Sequence, residues 1–304
     1  MKDGLTITMV SGDGTRWPVH GSDRKPWITL AESGVDGLMD APIETEWIED
    51  TEGAIFSGDR FVARDMTLGF FIAEEFAGTE KGGRLESDFR RSFRTRKDPW
   101  NPVAQLPRVE VKSGLSGIRD LEVHLKSTPD MKMVRDPYTQ KVFDITYELR
   151  APNPLPSSGT DVSVFETGLS TAYGFIEVWN PTDTPCRHTW ILTPGKWTLP
   201  DVSWLGPEGA RVPAGPHASR RVVVDVLSSD GGARITRERR KLHASTLTGS
   251  NLLGRMGGNW VRFDIPPYTP RTDLPISVTG APSSGARAEV RMPRLWTRFV
   301  GMEL

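Results

Sequence analysis

The chain has little of what most secreted proteins and enzymes display. Its 304 residues contain a single cysteine, Cys186, so no internal disulfide can form. The fold must then stand on packing and hydrogen bonds, as it can in a reducing cytoplasm. No apolar run approaches the ~20 residues that a membrane-crossing helix needs, and residues 1–8 alternate polar and apolar side chains where a signal peptide would be uninterruptedly apolar. Charge of one sign is also missing. With 38 Lys+Arg against 39 Asp+Glu the net charge is -1, which excludes the strong basic field of a dedicated nucleic-acid binder.

Catalytic signatures are equally scarce. The five histidines, His20, His124, His188, His217 and His243, are scattered, with no pair at metal-ligand spacing. Gly114-Leu115-Ser116-Gly117 is one residue short of a nucleophile elbow and sits between two strand patterns. Gly12-Asp13-Gly14 lacks the third glycine of a dinucleotide loop and is followed by a strand, so it reads as a hairpin turn. Cys186 and His188 share a strand face and invite a nucleophilic pair, but a plain packed position is the simpler reading. Acid pairs such as Glu44/Glu46 and Glu74/Glu75 do not stand out among 39 carboxylates. No catalytic residue, cofactor site or metal site is assigned, and an enzyme is not expected.

What is abundant is proline, 24 residues, and tryptophan, 10. Prolines are kept out of central strands and helix interiors, so many short strands joined by shaped loops are expected. Leu5–Val10 and Thr15–Trp17 flank Ser11-Gly12-Asp13-Gly14 as a hairpin. Residues 60–73 read as one long strand, with Met66, Leu68, Phe70 and Ile72 at period two. A single helix is predicted over 84–97, since Leu85, Phe89 and Phe93 fall on one face and Asp98-Pro99 stops it. Phe143, Ile145, Tyr147 and Leu149 alternate with polar residues as a half-buried strand. Three prolines in 151–159 mark a linker between a domain over 1–150 and a domain over 160–304. In the latter, short strands are expected at 175–179, 188–192, 222–226, 260–265, 276–278 and 288–290, the pattern of an antiparallel sandwich. A buried core is predicted at Leu68, Phe70, Leu85, Phe89, Phe143, Ile145, Val222, Val224, Val261 and Phe263. The halves differ in charge: residues 1–150 carry 21 Lys+Arg against 26 Asp+Glu, a net of -5, and residues 151–304 carry 17 against 13, a net of +4.

Two surface features suggest binding. An acidic stretch, Glu44, Glu46, Glu49, Asp50 and Glu52, could face basic residues of the predicted helix, Arg90, Arg91 and Arg94, on a neighbouring copy, since ring closure needs two complementary patches on each subunit. The basic stretches Arg90, Arg91, Arg94, Arg96, Lys97 and Arg237, Arg239, Arg240, Lys241 lack the aromatic interleaving of a nucleic-acid groove and read as solvated faces or subunit contacts. Among the aromatics, Trp179 and Trp190 lie inside strand patterns and read as core. Trp197 and Trp204 fall in a Pro-rich stretch that leaves core packing and an exposed sugar-stacking platform both open.

Residues 175–304 also carry three landmarks in order: Asn180-Pro181-Thr182-Asp183-Thr184-Pro185 running into His188–Trp204, Arg262-Phe263-Asp264-Ile265-Pro266-Pro267-Tyr268-Thr269-Pro270, and Pro293-Arg294-Leu295-Trp296-Thr297-Arg298-Phe299. In these the chain resembles the distal tail, or minor tail, proteins of siphophages that infect actinobacteria. The resemblance implies an all-β fold with one helix: an N-terminal split-barrel domain related to tail-tube folds, then a galectin-like antiparallel sandwich. It further implies a homohexameric ring at the tail tip of the virion, assembled in the host cytoplasm. Its partners would be the tail-tube protein, the tape-measure protein and tail-associated lysin or fibre proteins, with no catalytic residues, no specific nucleic acid and no membrane insertion. The rival readings are a glycan-binding sandwich protein, a hydrolase, and a tail-tube or head-decoration protein.

Overall fold

The computed structural model describes residues 4–73, 82–93, 96–133, 136–238 and 241–304. They form two compact units, one of residues 1–158 together with 296–301, the other of 159–295 together with 302–304. The chain therefore returns to its first unit after building the second, so part of the stretch assigned to the 160–304 domain packs elsewhere.

In the first unit, Arg16–His20, Thr6–Val10, Arg108–Ser113 and Gly117–Glu122 pair antiparallel in that spatial order. The opening hairpin forms at the expected turn, where Gly14 takes φ +89° and the Asp13 carboxylate accepts the Thr15 N–H at 2.9 Å. A second sheet runs Asp130–Met131, Val142–Ala151, Arg64–Ala73 and Ile28–Asp36. The apolar alternation of Arg64–Ala73 and Val142–Ala151 points Met66, Leu68, Phe70, Ile72, Phe143, Ile145, Tyr147 and Leu149 inward, all buried. Gly34 and Gly69 meet where the register of Ile28–Asp36 shifts. A Cβ on Gly34 would lie 2.9 Å from the Gly69 Cα, so this close strand approach requires glycine.

The helix spans Gly82–Ser92, ending earlier than the predicted 84–97. Its apolar face lays Leu85 and Phe89 into the same core, and Phe93, just past its end, joins them. Phe89 is fully buried among Trp17, Phe70, Phe93 and Tyr147, with ring centroids 4.8–5.7 Å away and mostly edge-to-face. A four-residue helix, Pro137–Gln140, is too short to show a period in the sequence; Asp136 caps it by accepting the Tyr138 N–H at 2.9 Å. The expected long strand over 60–73 is two strands: Gly53–Phe61 pairs only with Ile43–Asp50, and Arg64–Ala73 enters the sheet.

Two buried arginines secure the returning C-terminal segment. Arg119 donates to the carbonyls of Arg298 and Gly301 at 2.8 and 2.9 Å and stacks over Trp296 at 3.7 Å. Arg64 donates to the Leu38 carbonyl at 2.8 Å and lies over Phe299, and its burial pushes the guanidinium down to about 10.

The second unit is a two-layer antiparallel sandwich. One sheet orders Thr171–Asn180, Thr269–Thr279, Gly195–Pro200 and Arg221–Val226; the facing strands include Ala286–Leu295, Thr189–Leu192, Ala233–Thr236 and Ala244–Thr246. Between them lie Ile176, Val178, Trp190, Trp197, Val222, Val224 and Val290. Nine of the ten predicted core residues are buried. Phe263 is only half-buried, and no strand forms over 260–265. The reason is Asp201, a buried carboxylate that accepts the backbone N–H groups of Arg262 and Phe263 at 3.0 Å and pairs with Arg220. A side chain has taken the bonds that a neighbouring strand would have made.

Phe89 gives the most direct test of the first unit. Phe89→Ala is expected to cost about 3–5 kcal/mol, measured by urea unfolding followed through tryptophan fluorescence. A loss below about 1 kcal/mol would show that the helix is not fastened by this ring.

Candidate docking surfaces

The acidic stretch lies on a hairpin that the rest of its unit leaves uncovered. All eight residues of Ile43–Asp50 are exposed, as is most of Gly53–Phe61. A register shift between Glu46 and Trp47 sets the tip so that Trp47 opposes Phe56, while Ile48 opposes Ile55 on the other face. The rings of Trp47 and Phe56 meet edge-on at 5.4 Å, yet all four residues stay 52–60% exposed. Both faces of the tip are thus apolar and open. An isolated two-stranded hairpin is marginal in water, and exposed apolar clusters of this kind mark contact surfaces. Residues 43–61 hold six carboxylates against one cation, Arg60, which is paired with Glu44 at 2.9 Å. Glu46 and Glu49 have no ion-pair partner among the described residues.

The basic helix expected to receive this stretch is occupied by its own carboxylates. Arg90 pairs with Glu86 at 2.7 Å and Arg91 with Asp88 at 2.8 Å, both within the helix. Arg94 lies outside the described residues. In the sequence, Arg96 and Lys97 of the loop after the helix read only as the end of the basic stretch that begins at Arg90, and Asp98-Pro99 as a stop signal. Arg96 and Lys97 are exposed without ion-pair partners among the described residues, Trp100 is 89% exposed and Val103 79%. Two side-chain turns hold this loop in shape, the Asp98 carboxylate accepting the Trp100 N–H at 3.0 Å and the Asn101 carbonyl accepting the Val103 N–H at 3.1 Å. Beside it is a cleft of about 300 Å³ whose lining includes Trp17, Arg91, Asn101 and Gln105.

In the sandwich, Trp197 offers no platform. It is wholly buried on the strand Gly195–Pro200, donating its indole N–H to the Thr193 carbonyl at 2.9 Å. Trp204 is half-buried against the core, Trp190 is buried, and Trp179 is held between the guanidinium groups of Arg271 and Arg294 at 4.1 and 4.9 Å. The most exposed aromatics of this unit are instead Tyr173 and Phe175, 79% and 67% exposed on the outer face of the edge strand Thr171–Asn180, with Trp260 46% exposed. They border a shallow depression of about 270 Å³ with Thr198, Arg221 and Ser277. Their period-two spacing on a strand is a readable signal, overshadowed in the sequence by the abundance of tryptophan.

Cys186 and His188 are both buried, and burial pushes the thiol up to about 12, so no thiolate is available near neutral pH. Among the described residues no group of three or more His, Cys, Asp or Glu could hold a metal. Glu44 and Glu46 are spread along the exposed hairpin, and Glu74 and Glu75 lie outside the described residues. Arg237 is joined to Asp264 at 3.0 Å and Lys241 to Glu238, while Arg239 and Arg240 lie outside the described residues.

This nearly all-β architecture, with two helices in the first unit and a sandwich in the second, is similar to the fold of phage hub proteins. The chain superposes on the crystal structure of the SPP1 Dit (gp 19.1) protein, described as a paradigm of the hub adsorption apparatus in phages infecting Gram-positive hosts, with a TM-score of 0.54 at 12% identity over 97% of this chain and 99% of that one. A chain of the phage p2 baseplate in its activated conformation with Sr gives a TM-score of 0.50 at 9% identity over 96% and 98%. In sequence, the chain is 24% identical to minor tail protein Gp27 of Mycobacterium phage D29, the alignment covering 98% of this chain and 99% of that protein. The resemblance to actinophage minor tail proteins, drawn from residues 175–304, thus extends over the whole chain. No family model matches it.

His188 supplies a test of the sandwich interior. Burial pushes its imidazole down to about 4, against an ordinary value near 6.5. Its folded form stays neutral while the unfolded chain takes up a proton, so its contribution is complete above pH 6.5 and is lost as pH falls toward 4. Wild-type stability should fall by about 2–3 kcal/mol between pH 7 and 4.5 from this group, partly offset by Asp264, whose carboxyl burial pushes up. Urea unfolding of His188→Gln at both pH values should show that part of the loss gone; an undiminished loss would assign acid sensitivity to other groups.

Proposed function

We propose that the chain is a structural virion protein, a hub at the distal end of a long, non-contractile phage tail, and that it has no enzymatic role. The observation that carries this reading is the full-length likeness in sequence to a minor tail protein, joined to a full-length likeness in fold to the SPP1 Dit hub. In this role it forms a homohexameric ring through its first unit. The ring continues the tail tube, meets the tape-measure protein within, and seats tail-tip lysin, fibre and receptor-binding proteins below. Assembly takes place in the host cytoplasm, which suits a chain whose lone thiol is buried. The uncovered hairpin and the 96–103 loop support the self-association part of this reading, because both would otherwise leave apolar surface in water.

A second reading is favoured by one specific observation, the exposed pair Tyr173 and Phe175 beside Thr198, Arg221 and Ser277. Exposed aromatic rings next to hydroxyl and guanidinium donors suit a saccharide, so the sandwich would serve adhesion to a host-surface glycan. The double variant Tyr173→Ala/Phe175→Ala should lose retention on immobilised host cell-wall polysaccharide by at least tenfold if this face carries adhesion. Equal retention would remove it.

Light scattering across a concentration series, alone and with the tail-tube protein, tests the hub. A species of about six times 33.7 kDa is expected. A monomer under both conditions would overturn it.

A further inference from the structure

Each copy carries two incomplete surfaces that match one another. We propose that the hairpin Ile43–Asp50/Gly53–Phe61 of one copy docks on the 96–103 loop of the next, with Trp47 and Ile48 covering Trp100 and Val103 and with Glu46 and Glu49 facing Arg96 and Lys97. This rests on the self-association in the hub reading and names the surfaces that make it.

Charge complementarity selects a second copy as the occupant. The hairpin's six carboxylates against Arg60 make it the strongly acidic element of the first unit, and its partner must bring cations together with open apolar area. The helix arginines do not meet that requirement, because Glu86 and Asp88 already hold Arg90 and Arg91. The loop does, with two exposed cations next to an exposed indole and an exposed valine on a backbone fixed by two side-chain turns. The acids beside it are engaged: Asp88 by Arg91, Asp13 by the Thr15 N–H, Asp98 by the Trp100 N–H. Donor and acceptor are different patches on one chain, so the contact is head-to-tail and closes into a ring when its rotation permits, whereas a face-to-face dimer would leave half of each surface uncovered. The hairpin tip is apolar on both faces, so it behaves as an inserted arm and not as a lid.

The test is charge reversal and its repair, read by analytical ultracentrifugation with circular dichroism confirming the fold. All substituted positions are exposed. Glu46→Lys/Glu49→Lys and Arg96→Glu/Lys97→Glu should each weaken assembly about tenfold or more, and Trp47→Ala or Trp100→Ala about 30-fold, as for a buried aromatic anchor. The fourfold variant carrying both reversals should regain assembly near the wild-type level, and raised salt should weaken the wild type. Wild-type assembly that survives all the reversals would overturn this pairing and leave the hub reading intact. Single reversals that dissociate the protein without rescue in the fourfold variant would overturn it too, sending the hairpin to a different basic surface. Variants that assemble normally yet fail to bind the tail-tube protein would assign the hairpin to that protein instead. A wild type that never assembles, alone or with the tail-tube protein, would bring down the hub reading itself.

Discussion

The edge-to-face contacts around Phe89 hold the helix Gly82–Ser92 onto the sheets of the first unit. Trp17 reaches this ring from one sheet, and Phe70 and Tyr147 reach it from the other. Because no disulfide can share the task, apolar burial fastens the helix, which ends at Ser92 ahead of the loop that carries Arg96, Lys97 and Trp100. The placement of a surface loop thereby becomes a property of the core. A helix seated a turn differently would aim a different set of cations outward, so the packing of one phenylalanine governs a feature that meets solvent.

The two units solve the burial of polar groups differently. The first buries whole arginines, Arg64 and Arg119, against backbone carbonyls and aromatic faces, where the guanidinium fork suits several acceptors at once. The second buries a carboxylate, Asp201, and lets it organise backbone N–H groups of a segment that forms no strand. In both, a charged side chain stands in for a missing strand edge. A further case is Asn180, fully buried, whose amide donates to the carbonyls of Thr184, Ile265 and Pro266 and whose carbonyl accepts from Thr182.

Much of this architecture is legible in the sequence because it rests on period. The alternation from Met66 to Ile72 and from Phe143 to Leu149, and the four-residue spacing of Leu85, Phe89 and Phe93, identify buried faces without knowledge of the partner. What escapes such reading is decided by long-range polar contacts. The segment 260–265 alternates like a strand, yet Asp201, some sixty residues earlier, claims its amides. Trp197 reads as loop because Pro194 and Pro200 flank it, though those prolines stand just outside and at the end of a central strand. The break at Val62 and Ala63, which divides an exposed arm from a core strand, leaves no mark in hydrophobic period. Arg90 and Arg91 read as free cations because pairing within a helix depends on rotamers as well as spacing.

The return of residues 296–301 to the first unit has a consequence for synthesis. Phe299 is wholly buried there, and the Ala41 amide donates to the Thr297 carbonyl at 2.7 Å. During translation the first unit therefore waits, with a gap in its core, while the ribosome makes the entire sandwich. A prematurely terminated chain would carry an unsealed first unit however well its earlier residues had folded. Completion of the core thus acts as a built-in check that the sandwich has been made.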